Sequence, residues 1–339
     1  MGDPPADRSV AVCIATYRRP KGLRALLESL AGQLDIDLAR VRVVVVDNDP
    51  DGSAAAVIQW AAQHTTLDLV SDVEPRPGVS HARNRSIQLA DGFPFIAVID
   101  DDMTADPRWL ASLLAAQERF DADVVGGRVE RSIEDPARRW VIELDLFAPL
   151  TTGEEGATAH AIELGNSILR RSVLGDAPFD PSLGVIGGED TKLFLTLARD
   201  GRRIVTTETA RAHEVITPDR ARLPWMMRRT FRLGSCWTMI ERAVLGTTPM
   251  HRVARASARI GRGMITAAIG LITLRRARVV NGILDGCEGV GMLAGVAGIT
   301  LNEYGRDARR FVRVSRAELG PTDRGSGRGA AAHEAAPRN

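Results

Sequence analysis

Residues 94–110 read PFIAVIDDDMTADPRWL, an apolar run that stops on three consecutive carboxylates, Asp100, Asp101 and Asp102. Acids this close repel one another, and one takes up a proton unless a cation or a hydrogen-bond donor is supplied. The triplet therefore implies a solvated turn, an aspartyl nucleophile attacking phosphate, or a divalent metal. A second acidic pair, Glu189 and Asp190, follows two glycines in GVIGGEDTKLFLTL, in the first turn of a helix that the pattern ends near Asp200. Acids at that end of a helix also serve as plain capping groups. His213 in RAHEV could give a neutral imidazole to a metal. RARLPWMMRRTFRLG (220–234) sets Arg222, Trp225, Arg228, Arg229 and Arg232 near helical spacing, where guanidinium groups suit phosphate or form an ordinary basic face.

These groups must be positioned by an alternating α/β chain. VAVCIAT (10–16), VRVVVVDN (41–48), LDLVSDV (67–73) and FPFIAVID (93–100) read as strands, with another near DVVGG. PKGLRALLESLAGQL, GSAAAVIQWAAQH, GVSHARNRSIQLA and 107–120 read as helices. The valine run is the mark of a strand buried on both faces, and the βαβα order predicts a mainly parallel sheet with helices on both faces. Ligands bind beyond the carboxyl ends of such strands, where Asp47 and the aspartate triplet lie. Taken alone, Asp47 reads as a helix N-cap. Residues 130–165 are irregular, and APLTTGEEGATAHAIE reads as a mobile loop. The boundaries this implies are a flexible 1–8, an α/β domain at 9–216, an arginine-rich helical region at 217–310 and a disordered tail at 311–339.

With 339 residues, 44% hydrophobic and 26% charged, the composition is that of a folded protein, and a net charge of +1 gives no global case for nucleic-acid binding. Lysine occurs only at Lys21 and Lys192, and thirteen arginines face one acid, Glu241, between Arg220 and Arg278. The apolar stretches 263–274 and 289–301 are each shorter than the ~20 residues that span a bilayer. Arginines beside an apolar face suit a helix lying on an anionic membrane surface, a packed appendage or a homodimer interface. Cys13, Cys236 and Cys287 are scattered and odd in number, which argues against a disulfide framework. The N-terminus lacks a basic-then-apolar leader, and Ala6 stands where a myristoylation motif has Ser or Thr. The expectation is a cytoplasmic protein, peripheral on the inner face of the membrane if the basic helices touch it.

Asp100, Asp102 and Thr104 match the D-x-D-x-T signature of haloacid-dehalogenase phosphatases, but three strands precede the motif here and the only later lysine is Lys192, in a helix. VCIATYRRP, VVVVDNDPDGSA, EPRPGVSHARN, FIAVIDDDMTADPRWL and GVIGGEDTKLFLTL, in this order, resemble instead a family 2 glycosyltransferase of the GT-A fold. The resemblance covers about residues 8–235 and is similar to bacterial exopolysaccharide enzymes of the succinoglycan type.

The resemblance implies inverting transfer of a sugar from a nucleotide-diphosphate donor, UDP by preference, to a glycan or lipid-linked acceptor, with Mg²⁺ or Mn²⁺. Thr16 and Arg18 would face the nucleotide, Asp47 would read the base, and Arg83 would lie near base and diphosphate. Asp101 would be near the ribose and Asp102 at the metal, with Asp100 assisting and His213 as a further ligand. Asp190 would be the general base. Gly188 would let the backbone approach the acceptor, with Glu189, Asn166 and Trp225 as further acceptor contacts. A soluble natural-product acceptor, a nucleotidyltransferase and a non-catalytic nucleotide-sugar-binding module are the remaining alternatives.

Overall fold

The computed structural model describes residues 8–151, 153–302, 310–315 and 319. The expected strands form as β1 (Val10–Thr16), β2 (Val41–Asp47), β3 (Asp68–Val73), β4 (Phe95–Ile99) and β6 (Val124–Ile133). They are joined by β5 (Met103–Ala105), β7 (Asn166–Arg170) and β8 (Ile204–Ile216) in one eight-stranded sheet of order β3-β2-β1-β4-β7-β6-β8-β5. β3, β2, β1 and β4 run parallel, as do β6 and β8, whereas β7 and the short edge strand β5 are antiparallel to their neighbours.

The link from β4 to β5 fixes the shape of the sheet. Four Cα–Cα steps connect Ile99 to Met103, a reach of at most about 14 Å. In a flat sheet the four strand spacings between β4 and β5 would need about 19 Å. The sheet must therefore curl, which brings β8 and β5 back over the carboxyl end of β4. Asp100, Asp101 and Asp102 are the link itself, so the same curl delivers the end of β8 to the acids.

Side chains alternate across β1 as the two-residue period requires. Val10, Val12 and Ile14 enter a core beneath α1 (Pro20–Ala31), α2 (Ala55–His64) and α4 (Trp109–Phe120). Ala11 and Cys13 enter a second core beneath α3 (Val79–Leu89) and α5 (Glu189–Arg199). Burial pushes the Cys13 thiol up to about 12, so it packs as a small hydrophobe.

The C-terminal region is α6 (Leu223–Leu245), α7 (Pro249–Ile272) and α8 (Arg276–Val296). Glycines let these helices close on one another: Gly291 and Gly295 of α8 rest on the carbonyls of Phe231 and Ser235 in α6, and Gly289 rests on Ala256 in α7. α6 is fastened to α5 through Leu195, Cys236, Met239 and Ile240.

Several expectations change here. Of the two apolar stretches, 263–274 falls in the second half of α7 and the turn after it, and 289–301 in α8 and the residues that follow; α8 is long and apolar enough to cross a membrane by length and composition, yet lies packed between α6 and α7. The loop expected to be mobile, 148–163, is held to β8, where Glu155 accepts hydrogen bonds from Thr207 Oγ1 and Glu208 N, and just ahead of it Val141, Leu144 and Phe147 are buried against α6 and α8. Of the tail expected to be disordered, Phe311–Arg313 form β10, paired with β9 (Ile299–Leu301), while the rest lies outside the described residues apart from 314, 315 and 319. Residues 1–7 of the expected flexible N-terminus lie outside them too.

Candidate active site

The ends of β1, β2 and β4 and the N-termini of α3 and α5 meet at the aspartate triplet. Asp101 is buried, accepts from Thr16 Oγ1 at 2.8 Å, and pairs with Arg19 at 2.8 Å. Burial raises its pKa in spite of the Arg19 charge. Asp102 is more open, and one carboxylate oxygen, Oδ2, takes both Arg19 and Arg220 at 3.0 Å each. Asp100 pairs with Arg83 at 3.1 Å, and packing around it raises its pKa, with Asp102 adding to the rise. Each acid thus has a guanidinium, which answers the repulsion that the sequence posed.

Arg83 projects from α3 and grips Asp100 with one nitrogen and Glu189 with another. It joins the aspartate triplet to the start of α5. Glu189 is 5% exposed, and burial, reinforced by the Asp190 charge, lifts its pKa to about 7 although Arg83 pulls the other way. A carboxyl whose folded pKa lies above its unfolded value contributes most to stability below that unfolded value, near 4.5, and loses the contribution as pH rises through about 7. Glu189→Gln therefore gains thermal stability relative to wild type between pH 5 and 8, which melting curves across that range will read.

Asp190, one residue on, is half-exposed. Its Oδ1 accepts from Thr191 N at 2.6 Å and from Thr191 Oγ1 at 3.3 Å. Its second oxygen takes no hydrogen bond from the described residues, so it is a carboxylate held in place with one oxygen open.

A chain of alternating charges supports the triplet from behind. Glu163 pairs with Arg131, Arg131 with Glu214 at 2.8 Å, Glu214 with Arg220 at 2.8 Å, and Arg220 reaches Asp102. Sequence reasoning missed Arg19, Glu214 and Arg220 as site residues. The alternation of β8 could have found Glu214, because Ala210, Ala212 and Ile216 are its inward neighbours at a period of two.

The same alternation removes His213 from the triplet. It lies inside β8, on the opposite face from Glu214, and bonds to Asp106 with Glu130 at 3.7 Å. The expected metal-ligand role does not fit that position.

Further expectations also change. Asn166 is fully buried, with Oδ1 on the Trp109 indole at 2.7 Å and Nδ2 on the carbonyls of Arg128 and Ala210 at 2.9 and 3.2 Å, so nothing is left for a substrate. Gly187 and Gly188 have φ of +82° and +93°, and side chains there would run into Arg232 and Ile240. The glycines admit α6 rather than an acceptor. Arg232 is itself buried and donates to the Ile186 carbonyl at 3.1 Å.

Asp47 has both oxygens on its own loop, accepting from Asp49 N at 2.9 Å, Ala54 N at 2.7 Å and the Ser53 hydroxyl. This is the capping alternative, and it leaves no oxygen for a base. Arg18 turns outward at a left-handed φ of +53° and chelates Asp49 at 2.9 and 3.1 Å. Trp225 stacks on Phe147 with Arg220 and Arg229 over its ring, on the side of Asp102 that α6 covers.

The donor set at Asp102 suits Mg²⁺ or Mn²⁺. It is a carboxylate at a strand end on which two guanidinium cations now converge, and hard oxygen donors favour these ions. Among the described residues no three His, Cys, Asp or Glu side chains gather to hold an ion, so other ligands would come from substrate oxygens and water. The covalent phosphatase alternative loses its lysine, because Lys192, in α5, is ion-paired with Asp180 ahead of that helix.

The sequence model described as Glycosyl transferase family 2 matches residues 11–177. The chain is 32% identical over 301 residues to the succinoglycan biosynthesis protein ExoM of Rhizobium meliloti (strain 1021), covering 87% of this chain and 96% of that one. It is 25% identical over 250 residues to the glucosyl-dolichyl phosphate glucuronosyltransferase of Haloferax volcanii, covering 67% and 74%. Among solved structures, the mannosyltransferase PcManGT of Pyrobaculum calidifontis, in complex with GDP-Man and Mn²⁺, aligns with a TM-score of 0.58 at 17% identity, over 84% of this chain and 86% of that one.

Proposed function

The chain belongs to glycosyl transferase family 2, and from that premise we propose that it is an inverting, metal-assisted transferase. It would move a sugar from a nucleoside diphosphate, UDP by preference, to a hydroxyl of a glycan or lipid-linked glycan. The observation that carries this reading is the pairing by Arg83 of the aspartate triplet with the Glu189–Asp190 turn. One guanidinium ties the place where a diphosphate would be held to the place where a hydroxyl would be activated.

In this reading Asp190 accepts the proton of the acceptor hydroxyl as that oxygen attacks the anomeric carbon from the face opposite the leaving diphosphate. Glu189 positions Arg83. Arg19 and Arg220, which neutralise Asp102, turn to the phosphates of the donor. Asp102, with Asp100 beside it, would hold Mg²⁺ or Mn²⁺, which when bound supplies Lewis-acid stabilisation of the leaving diphosphate. A glycan acceptor is favoured by the relative named for succinoglycan biosynthesis, and a lipid carrier for it by the relative named for a glucosyl-dolichyl phosphate substrate.

Calorimetric binding of UDP, GDP, dTDP and CMP, each with and without Mn²⁺, tests the donor. Metal-dependent binding of UDP is expected. Binding of GDP alone would keep the chemistry and change the sugar carrier. Binding of no nucleotide, with slow phosphate release from simple phosphomonoesters, would overturn the reading.

A further inference from the structure

The helix α7 is built inside out. A surface helix ordinarily buries its apolar stripe and offers its charges to water. Here Arg255 reaches inward to Glu241 of α6, Arg259 to Asp285 and Glu288 of α8, and Arg262 to Asp285 at 2.9 Å. Arg252 is almost wholly buried. The outward face carries Met250, Val253, Met264, Ile265 and Ile272 at helical spacing, and the turn after the helix adds Leu274, the most exposed of them at 92%. At 1.5 Å per residue this face runs about 36 Å, and an apolar strip of that extent on a monomer marks a surface that meets something.

Charge identifies what it meets. Arg275 and Arg276 follow Leu274 directly and are exposed, with Arg276 over the Trp140 ring at 4.4 Å, Arg278 lies in the first turn of α8, and none of the three pairs with a carboxylate among the described residues. The inward arginines of α7 all have acids or burial to account for them, whereas these three, at the end of the apolar face, keep their charge free of any carboxylate among the described residues. Apolar side chains beside unpaired arginines at one end of a helix match the headgroup boundary of an anionic leaflet, with the apolar face lying among acyl chains and the guanidinium groups at the phosphates.

We propose that the outward face of α7 and the α7–α8 turn dock the protein in the plane of an anionic bilayer through Met264, Ile265, Ile272 and Leu274, with Arg275 and Arg276 on the lipid phosphates. The docking is independent of which donor the active site takes. It goes beyond the transferase reading by assigning the surface that brings the site to its lipid-borne acceptor.

The test is co-sedimentation of the full chain with vesicles of equimolar phosphatidylglycerol and phosphatidylcholine, and with phosphatidylcholine alone. Wild type is expected to pellet with the anionic vesicles and to be released by high salt. Arg275→Ala/Arg276→Ala weakens partitioning roughly 25-fold, about fivefold per arginine, and Ile272→Glu/Leu274→Glu weakens it at least as much. All four positions are exposed, so folding is retained, and nucleotide calorimetry on the same samples verifies it. Two results overturn the proposal: wild type remaining in the supernatant with anionic vesicles, or a dimer in velocity sedimentation that Ile272→Glu/Leu274→Glu dissolves, which would give the stripe to a second copy of the chain. Nucleotide binding is read separately, so failure of docking and failure of the transferase reading are distinguishable.

Discussion

Asp190→Asn abolishes sugar transfer while leaving nucleotide affinity within about twofold of wild type. A positioned general base contributes on the order of 10²–10⁴ in rate, and the amide keeps the shape of the carboxylate while losing its basicity. Asn can still accept from Thr191 N and Thr191 Oγ1 as Asp190 Oδ1 does, so the first turn of α5 is preserved and the loss is chemical. The neighbouring acid is the competing candidate. Glu189 has a pKa lifted to about 7, which suits a base, but it is buried and held by Arg83, out of reach of a hydroxyl arriving from solvent. Rates of nucleotide release from donor in the presence of acceptor, measured for Asp190→Asn and Glu189→Gln, separate the two. Loss only in Glu189→Gln would move the base one residue back.

Asn166→Ala lowers stability by about 3–5 kcal/mol, because three buried partners lose their bonds at once and each costs about 1–3 kcal/mol. The Trp109 indole loses its acceptor, and the carbonyls of Arg128 and Ala210 lose a shared donor. At roughly 2–4 °C per kcal/mol for a domain of this size, the melting temperature falls by about 10 °C. The effect locates Asn166 in the scaffold that joins α4, β6, β7 and β8, behind the site. An unchanged melting temperature with transfer lost would return the residue to a substrate-contacting role.

These two residues also show how far the sequence could be read. The valine strand, the carboxylates beyond the strand ends and the helix opened by Glu189 follow from local period and spacing, and the structure has them. Asn166 and Gly188 misled because their chemistry allows two uses. An Asn amide can meet a substrate or tie strands together, and a glycine can admit a ligand or a helix. Only the approach of Trp109 and of α6, both distant in sequence, decides between them. His213 misled because its face depends on where β8 begins, and a shift of one residue exchanges it for Glu214. Arg220 was hidden for another reason: its partner Asp102 lies more than a hundred residues away, and they meet only because the sheet curls.

In the proposed reaction the aspartate triplet holds a metal and a nucleoside diphosphate together. The measurement that tests it most directly is nucleotide affinity as a function of Mn²⁺ concentration in wild type and Asp102→Asn. Affinity is expected to rise with Mn²⁺ in wild type and to lose that dependence in the variant, while melting curves stay close because Asp102 is partly open and carries no core packing. An Asp102→Asn protein that binds nucleotide with the wild-type response to Mn²⁺ would contradict it.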